Sequence, residues 1–216
     1  MVFVLNKENT IANHFLAELR DQDIQQDRLR FRRNLERLGE VLAYEFSKVL
    51  NYESEEILTP LGSVYTPLAK EDLVVMTILR AGLPFYQGFM NFFDFADSGF
   101  IGAFRKEADN QREISIDLGY IASGSLDGKT LVLLDPMIAT GKSLIEAIDH
   151  LSGHGSPAHI HIMSVISAPE GIEYLQGHLK TPHTIWTVSL DEKLNDQAYI
   201  VPGLGDAGDL AFGQKL

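Results

Sequence analysis

Apolar residues recur three and four positions apart through the first fifty residues, and beyond them the chain changes to short apolar runs separated by polar stretches. Ile11, Phe15 and Leu19 mark one face of a helix over residues 10–21, and Phe31, Leu35, Leu38, Leu42, Phe46 and Val49 mark a longer helix after it. Residues at that spacing share one side of a 3.6-residue turn, so the two stretches predict an N-terminal helical arm within residues 1–50. Pro60-Leu61-Gly62-Ser63 separates β-like runs at 56–59 and 64–66 and predicts a small hairpin. From Leu73 onward, strand-like runs at 73–78, 99–104, 130–134, 160–165 and 184–188 alternate with helical stretches at 83–93, 142–151 and 169–179. That alternation predicts an α/β fold with a mostly parallel central sheet flanked by helices, whose ligands lie outside the carboxyl ends of the strands. With no repeat and no linker to divide it, the chain reads as one domain over residues 1–216, arm included.

Composition narrows the setting. The longest apolar runs are too short to span a bilayer, and the first seven residues lack signal-peptide architecture, so a soluble protein without membrane partners is expected. The absence of cysteine removes disulfides, thiolate metal sites and a cysteine nucleophile, and fits a cytoplasmic home. A formal charge of -12 argues against nucleic-acid partners, which call for a basic excess. An anionic ligand would have to be held by a local pocket. The arginines Arg28, Arg30, Arg32, Arg33 and Arg37 crowd the second helix, but Glu36 and Glu40 interleave with them and the stretch reads as a solvated face. His159 and His161 alternate along one strand without acidic or cysteine partners in the run, which reads as a packed or partly exposed pair rather than a metal site; Trp186 reads as core or interface packing.

The most informative stretch runs from Thr130 to Ser143: a buried strand, the acid Asp135, a loop of mostly small residues, then a helix. Small residues let backbone approach an anion, and free N–H groups at the helix start can hold phosphate, with hydroxyl help from Thr140 and Ser143. Gly141-Lys142-Ser143 is not the end of a nucleotide-hydrolase P-loop, because Pro136 stands where that motif needs its first glycine.

This stretch, with its Asp135-Pro136-Met137 start, resembles the phosphoribosyl pyrophosphate (PRPP) loop of type I phosphoribosyltransferases, in the form typical of uracil phosphoribosyltransferases. Ile78-Leu79-Arg80-Ala81-Gly82-Leu83 resembles that family's pyrophosphate loop, and residues 199–209, from Tyr199 through Pro202-Gly203-Leu204-Gly205-Asp206-Ala207 to Asp209, are close to its uracil-binding signature. Ala168-Pro169-Glu170-Gly171 and Leu190-Asp191-Glu192-Lys193-Leu194-Asn195 also fit, in the family's order.

The resemblance implies a type I phosphoribosyltransferase fold with a C-terminal base-binding hood, and the reaction of uracil with PRPP to give UMP and pyrophosphate. It also implies the site. Asp135, Pro136, Met137, Ile138, Ala139, Thr140, Gly141, Lys142 and Ser143 would bind PRPP, with residues 139–143 on the 5-phosphate and Asp135 on the ribose hydroxyls. Arg80 would contact the pyrophosphate, and Arg105, opening the polar run 106–112, would stabilise its departing charge. Ile200, Gly205 and Ala207 would contact uracil through their backbones, and Asp206, also in the uracil-binding set, would order the PRPP end and serve as the candidate catalytic carboxylate beside Arg80 and Arg105. Mg²⁺ would arrive with PRPP, with no protein ligand directly predicted. GTP as an effector and a homodimer or homotetramer are further expectations of the resemblance.

Two departures stand out: Lys142 where the family usually has a second glycine, and the bulky Pro84-Phe85-Tyr86 after the arginine loop. The rival readings are a PRPP-binding regulator of pyrimidine genes, a nucleoside kinase, and a transferase acting on another base. The net charge opposes the first and Pro136 the second.

Overall fold

The structure is a computed structural model that describes residues 1–106 and 115–214. Its N-terminal part comprises a short strand β1 (Val2–Val4), helix α1 (Ala12–Arg20) and helix α2 (Arg28–Ser47). Asp27 caps α2 by accepting hydrogen bonds from the backbone N–H groups of Leu29 and Arg30, two of the donors a helix start leaves unpaired. Phe31, Leu35, Leu38, Leu42 and Phe46 are buried as the periodicity predicts. Two expected members of the apolar faces fall outside. Ile11 precedes α1 and is 60% exposed, leaving Ala12, Leu16 and Leu19 as the buried face, and Val49 lies beyond the end of α2 and is half exposed.

A hairpin of β2 (Tyr52–Thr59) and β3 (Gly62–Ala69) follows, paired antiparallel along its whole length and forming a sheet of its own. The remaining elements are β4 (Leu73–Leu79), α3 (Gly82–Met90), β5 (Asp97–Lys106), β6 (Ser115–Ala122), β7 (Thr130–Leu134), β8 (Met137–Ile138), α4 (Lys142–Leu151), β9 (His159–Ser167), α5 (Pro169–His178), β10 (His183–Leu190), β11 (Lys193–Leu194), β12 (Ile200–Val201) and α6 (Ala207–Phe212). The main sheet runs β1-β10-β9-β7-β4-β5-β6, with β8 extending the pairing of β9. Every pair in it is parallel except β5–β6.

Parallel strands covered on both faces read as continuous apolar runs, and β4 and β7 are of that kind. Val75, Val132 and Met163 meet α1, α2 and α3 through Leu19, Phe31, Phe46, Phe85 and Phe89. On the opposite face Val74, Met76, Leu131, Leu133 and Ile162 meet α4 and α5 through Leu144, Ala147 and Leu175. Each such fully buried side chain contributes roughly 1.5–3 kcal/mol.

The arm is docked by an aromatic cluster. The Phe46 ring stands edge-on to His161 at 4.8 Å and to Trp186 at 6.1 Å, and Trp186 stacks on Phe3 of β1 at 4.2 Å. His159 and His161 are packed as expected, their rings 4.5 Å apart. Trp186 Nε1–H donates to His161 Nδ1 at 3.0 Å, which requires that nitrogen to be an acceptor and therefore unprotonated. Burial, and secondarily the charge of His159, push the His161 pKa down to about 3. Among the described residues no helix is long and apolar enough to cross a membrane.

Candidate active site

The chain order of the strands reverses direction between β4 and β7: β4 leads to β5 on one side, while β7 leads to β9 and β10 on the other. In open α/β sheets the crevice outside such a switch point is where ligands bind. The two residues that leave these strands at that edge are Arg80 and Asp135. The two strands are joined just inside that edge by Thr77, whose hydroxyl donates to Leu134 O at 2.9 Å.

The loop after β7 is built against its neighbour. Asp135 N–H donates to Met163 O, Pro136 O accepts from Val165 and Ile166 N–H, and Ile138 O accepts from Ala168 N–H, all at 2.9–3.0 Å. Asp135 Oδ1 accepts from Met137 N–H at 3.3 Å, and Thr140 Oγ1 accepts from Lys142 N–H at 3.4 Å. Gly141 enters α4 with φ of 75°, a conformation that costs a side-chain-bearing residue about 1–2 kcal/mol. A Cβ at Gly171 would lie 2.2 Å from Ala139 O, so glycine there is what lets α5 close on the loop. Lys142 is exposed at the first position of α4.

Arg80 leaves β4 through a cis peptide with Leu79. Its guanidinium faces the C-terminal segment: Nη2 donates to Gly213 O at 3.0 Å and lies 3.5 Å from Asp209 Oδ1, while Nε is buried without a partner. The strand following α3 brings in Arg105, a backbone member of β5; its side chain, and the expected loop at 107–112, lie outside the described residues.

The stretch expected to read the base follows β10. Leu190 pairs with Ser167, which puts Asp191 at the same sheet edge. β11 and β12 form a minute antiparallel ladder whose turn is held by Asn195 Oδ1, accepting from Gln197 and Tyr199 N–H at 3.0 and 2.9 Å. Glu170 at the start of α5 accepts from Leu194 N–H at 3.0 Å and ties the ladder to the phosphate-loop side. Ile200 is buried; Gly205 and Asp206 are exposed and Ala207 is buried. Beyond them the chain forms α6. Asp206 caps it, Oδ1 accepting from Asp209 N–H at 3.0 Å. Asp206 is thereby connected through α6 to Asp209 and so to Arg80.

Sequence reasoning missed the residues beneath this loop. Arg20, at the end of α1, donates from Nη2 to Asp191 Oδ1 at 2.6 Å and from Nη1 to Asp191 Oδ2 at 2.8 Å, a bidentate pair in which the Asp191 side chain is only 2% exposed. Burial alone would raise the Asp191 pKa, but hydrogen bonds and charge from Arg20, with help from Ser189 and Gly203 N–H, hold it below the usual carboxylate range. Four of the five arginines on α2 are exposed as expected. Arg32 is the exception: it is partly buried, donates to Ala211 O at 2.7 Å and lies over the Phe212 ring.

Comparison with known proteins decides the lineage. Residues 6–214 match the family model described as uracil phosphoribosyltransferase. The chain belongs to the uracil phosphoribosyltransferase family. It is 46% identical over 215 residues to a uracil phosphoribosyltransferase of Porphyromonas gingivalis, covering 100% of this chain and 99% of that one. It is 40% identical over 209 residues to that of Methanothermobacter thermautotrophicus, covering 96% and 94%. Among solved structures, the AQ2163 protein of Aquifex aeolicus superposes with a TM-score of 0.86 at 33% identity, covering 99% of this chain and 98% of that one. Family membership thus rests on almost the whole chain, and the arm and the C-terminal loop are inside the match.

Proposed function

We propose that this protein transfers the phosphoribosyl group of PRPP to uracil, forming UMP and releasing pyrophosphate, in pyrimidine salvage. The observation that carries the reading is the pairing of a phosphate-type loop with Arg80 across the switch-point crevice, in a chain matched to this family over residues 6–214. PRPP is anionic at both ends of its ribose, and the crevice has an anion-suited group on each side.

In this reading residues 139–143 hold the 5-phosphate through backbone N–H groups, and Asp135 binds the ribose hydroxyls. Arg80 exchanges Asp209 and Gly213 for the pyrophosphate, a move its unpartnered Nε favours. Arg105 adds charge to the departing group. Such preorganised charge is commonly the largest catalytic contribution. The backbones of Ile200, Gly205 and Ala207 read uracil. Cytosine offers an acceptor at N3 where uracil has a donor, leaving buried groups mismatched, which rejects it strongly. Asp206, which caps α6, orders the PRPP end in this reading.

Mg²⁺ fits this site as part of the substrate complex. In this reading PRPP oxygens and retained waters hold the ion, as is usual for Mg²⁺, and no protein ligand is called for. When bound it would neutralise the leaving pyrophosphate. We place the protein in the cytoplasm as a homodimer or homotetramer. The hairpin supports self-association, since Ile57, Leu58, Leu61, Val64, Tyr65 and Leu68 are all exposed on it, more apolar surface than a small projecting element ordinarily leaves uncovered. Light scattering should give an oligomer mass, and a monomer mass would reject that part. GTP as an effector is tested by adding it to the same activity assay.

The test of the whole reading is chromatographic detection of UMP and pyrophosphate from uracil, PRPP and Mg²⁺, beside cytosine, orotate and hypoxanthine. UMP formation with uracil alone is expected. PRPP binding without UMP would favour the regulatory alternative instead.

A further inference from the structure

The loop assigned to the base is fixed by residues that lie more than 160 positions earlier. Asp191 Oδ2 accepts from Gly203 N–H at 2.9 Å, and Arg20 Nη1 donates to Gly203 O at 2.9 Å, so one ion pair holds both backbone groups of that residue. With its amide turned so that the nitrogen faces the two carbonyls, Gln25 donates to Leu204 O at 2.8 Å and to Leu19 O at 3.1 Å. Two consecutive residues immediately before Gly205 and Asp206 are therefore gripped by the arm. Ser189 completes the arrangement: its hydroxyl donates to Asp191 Oδ1 at 2.9 Å and accepts from Arg20 Nη2 and Asn6 Nδ2, each at 3.0 Å.

The charge pair is an expensive way to join a helix to a loop. Buried ion pairs often contribute no more stability than well-packed apolar residues of the same size, because desolvation offsets their attraction. What an arginine–carboxylate fork does supply is direction, through donors in a fixed plane. Here the fork grips the Asp191 carboxylate, and the pair together holds the two peptide groups that flank Gly203.

We propose that Arg20, with Asp191 and Gln25, positions the base loop, so that the N-terminal arm sets uracil affinity and the discrimination against cytosine without touching either base. The inference rests on the assignment of residues 200–207 to the base. Arg20 and Gln25 are positioning residues: they act through Gly203 and Leu204 on the backbone groups that follow.

The experiment compares Arg20→Lys, Gln25→Leu and the arm control Arg30→Ala, whose side chain pairs with Glu18 across α1 and α2. Each variant is assayed for kcat, KM for uracil, KM for PRPP and the uracil-to-cytosine preference, with a thermal scan alongside. Lysine keeps the charge but not the fork, so Arg20→Lys should raise the uracil KM about tenfold and narrow the preference, with the PRPP KM within about twofold. Gln25→Leu removes one neutral hydrogen bond and should raise the uracil KM by a few-fold, while Arg30→Ala leaves both constants at the parent values. If Arg20→Lys does not fold, Gln25→Leu decides alone. An unchanged uracil KM, or equal rises in the KM for uracil and PRPP, overturns the inference. A Gly205→Ala variant separates this outcome from failure of the loop assignment. If it raises the uracil KM while the Arg20 and Gln25 variants do not, the base reading stands and the positioning role falls; if it leaves uracil untouched, the loop assignment itself is wrong.

Discussion

The phosphate half and the base half of this site are built by opposite strategies. The first is local: strand β7, the loop to Ser143 and the start of α4 are contiguous in sequence, and their supports come from the adjoining strand β9 and helix α5. The second has almost no structure of its own beyond two two-residue strands and a six-residue helix. It is held by Arg20, Gln25 and Arg32 from the far end of the chain. A phosphate site needs a dipole and free N–H groups, which one strand–loop–helix unit supplies. Reading a planar base by its edge needs several backbone groups at fixed angles, and a glycine-rich loop attains that only when clamped from outside.

Arg80 lies between the halves, and its removal should have the largest effect. Arg80→Ala is expected to lower kcat about 10²–10³-fold with little change in thermal midpoint, because its contacts with Asp209 and Gly213 are partly exposed. A steady-state assay with PRPP and uracil each varied checks this, and an effect confined to a raised KM for uracil would put Arg80 on the wrong side of the divide. Asp206→Asn comes next. Asparagine caps helices about as well as aspartate, so α6 should persist while kcat falls roughly 10²-fold. An unaffected kcat would reduce Asp206 to its capping role.

Acid should loosen the docking of the arm. The native chain keeps His161 neutral down to about pH 3, whereas an unfolded histidine takes up a proton near its usual value of about 6.5. Stability from this group is therefore complete above about pH 6.5 and is lost as pH falls toward 3. Denaturant titrations should show a loss of about 2 kcal/mol between pH 7 and pH 5, and a His161→Phe variant should lose much of that slope. Asp191, with a lowered pKa, contributes in a different window: its stabilisation holds above about pH 4 and is lost only below it. The smallest effect is expected at Lys142. It is exposed, and the glycine it replaces is not the one that turns left-handed, so Lys142→Gly should change the PRPP KM by less than about threefold. A change of orders of magnitude would make Lys142 an essential part of the phosphate half.

The same contrast explains what could be read from residues alone. Strands β4, β7, β9 and β10 announce themselves because both their faces are covered, and the phosphate loop follows β7 without interruption. Strand β1 has three residues, too few for any period, and acquires its identity only by lying beside β10. Ile11 and Val49 continue the apolar spacing past the points where the backbone leaves the helix, which periodicity does not detect. Arg20 at a helix end looks like any surface arginine, since its partner is 171 positions away. The available signals were faint: an apolar-face Leu19 immediately before it, and the acidic pair Asp191-Glu192 directly after a strand.

Separability of the two halves is tested most directly by a crossed pair of kinetic measurements on Gly141→Ala and Gly205→Ala, each at a left-handed glycine with φ of 75° and 91°. The account predicts that Gly141→Ala raises the KM for PRPP and spares uracil, and that Gly205→Ala does the reverse. If either substitution moves both constants together, the site is one cooperative unit and the division drawn between a self-sufficient phosphate loop and an arm-held base loop is contradicted.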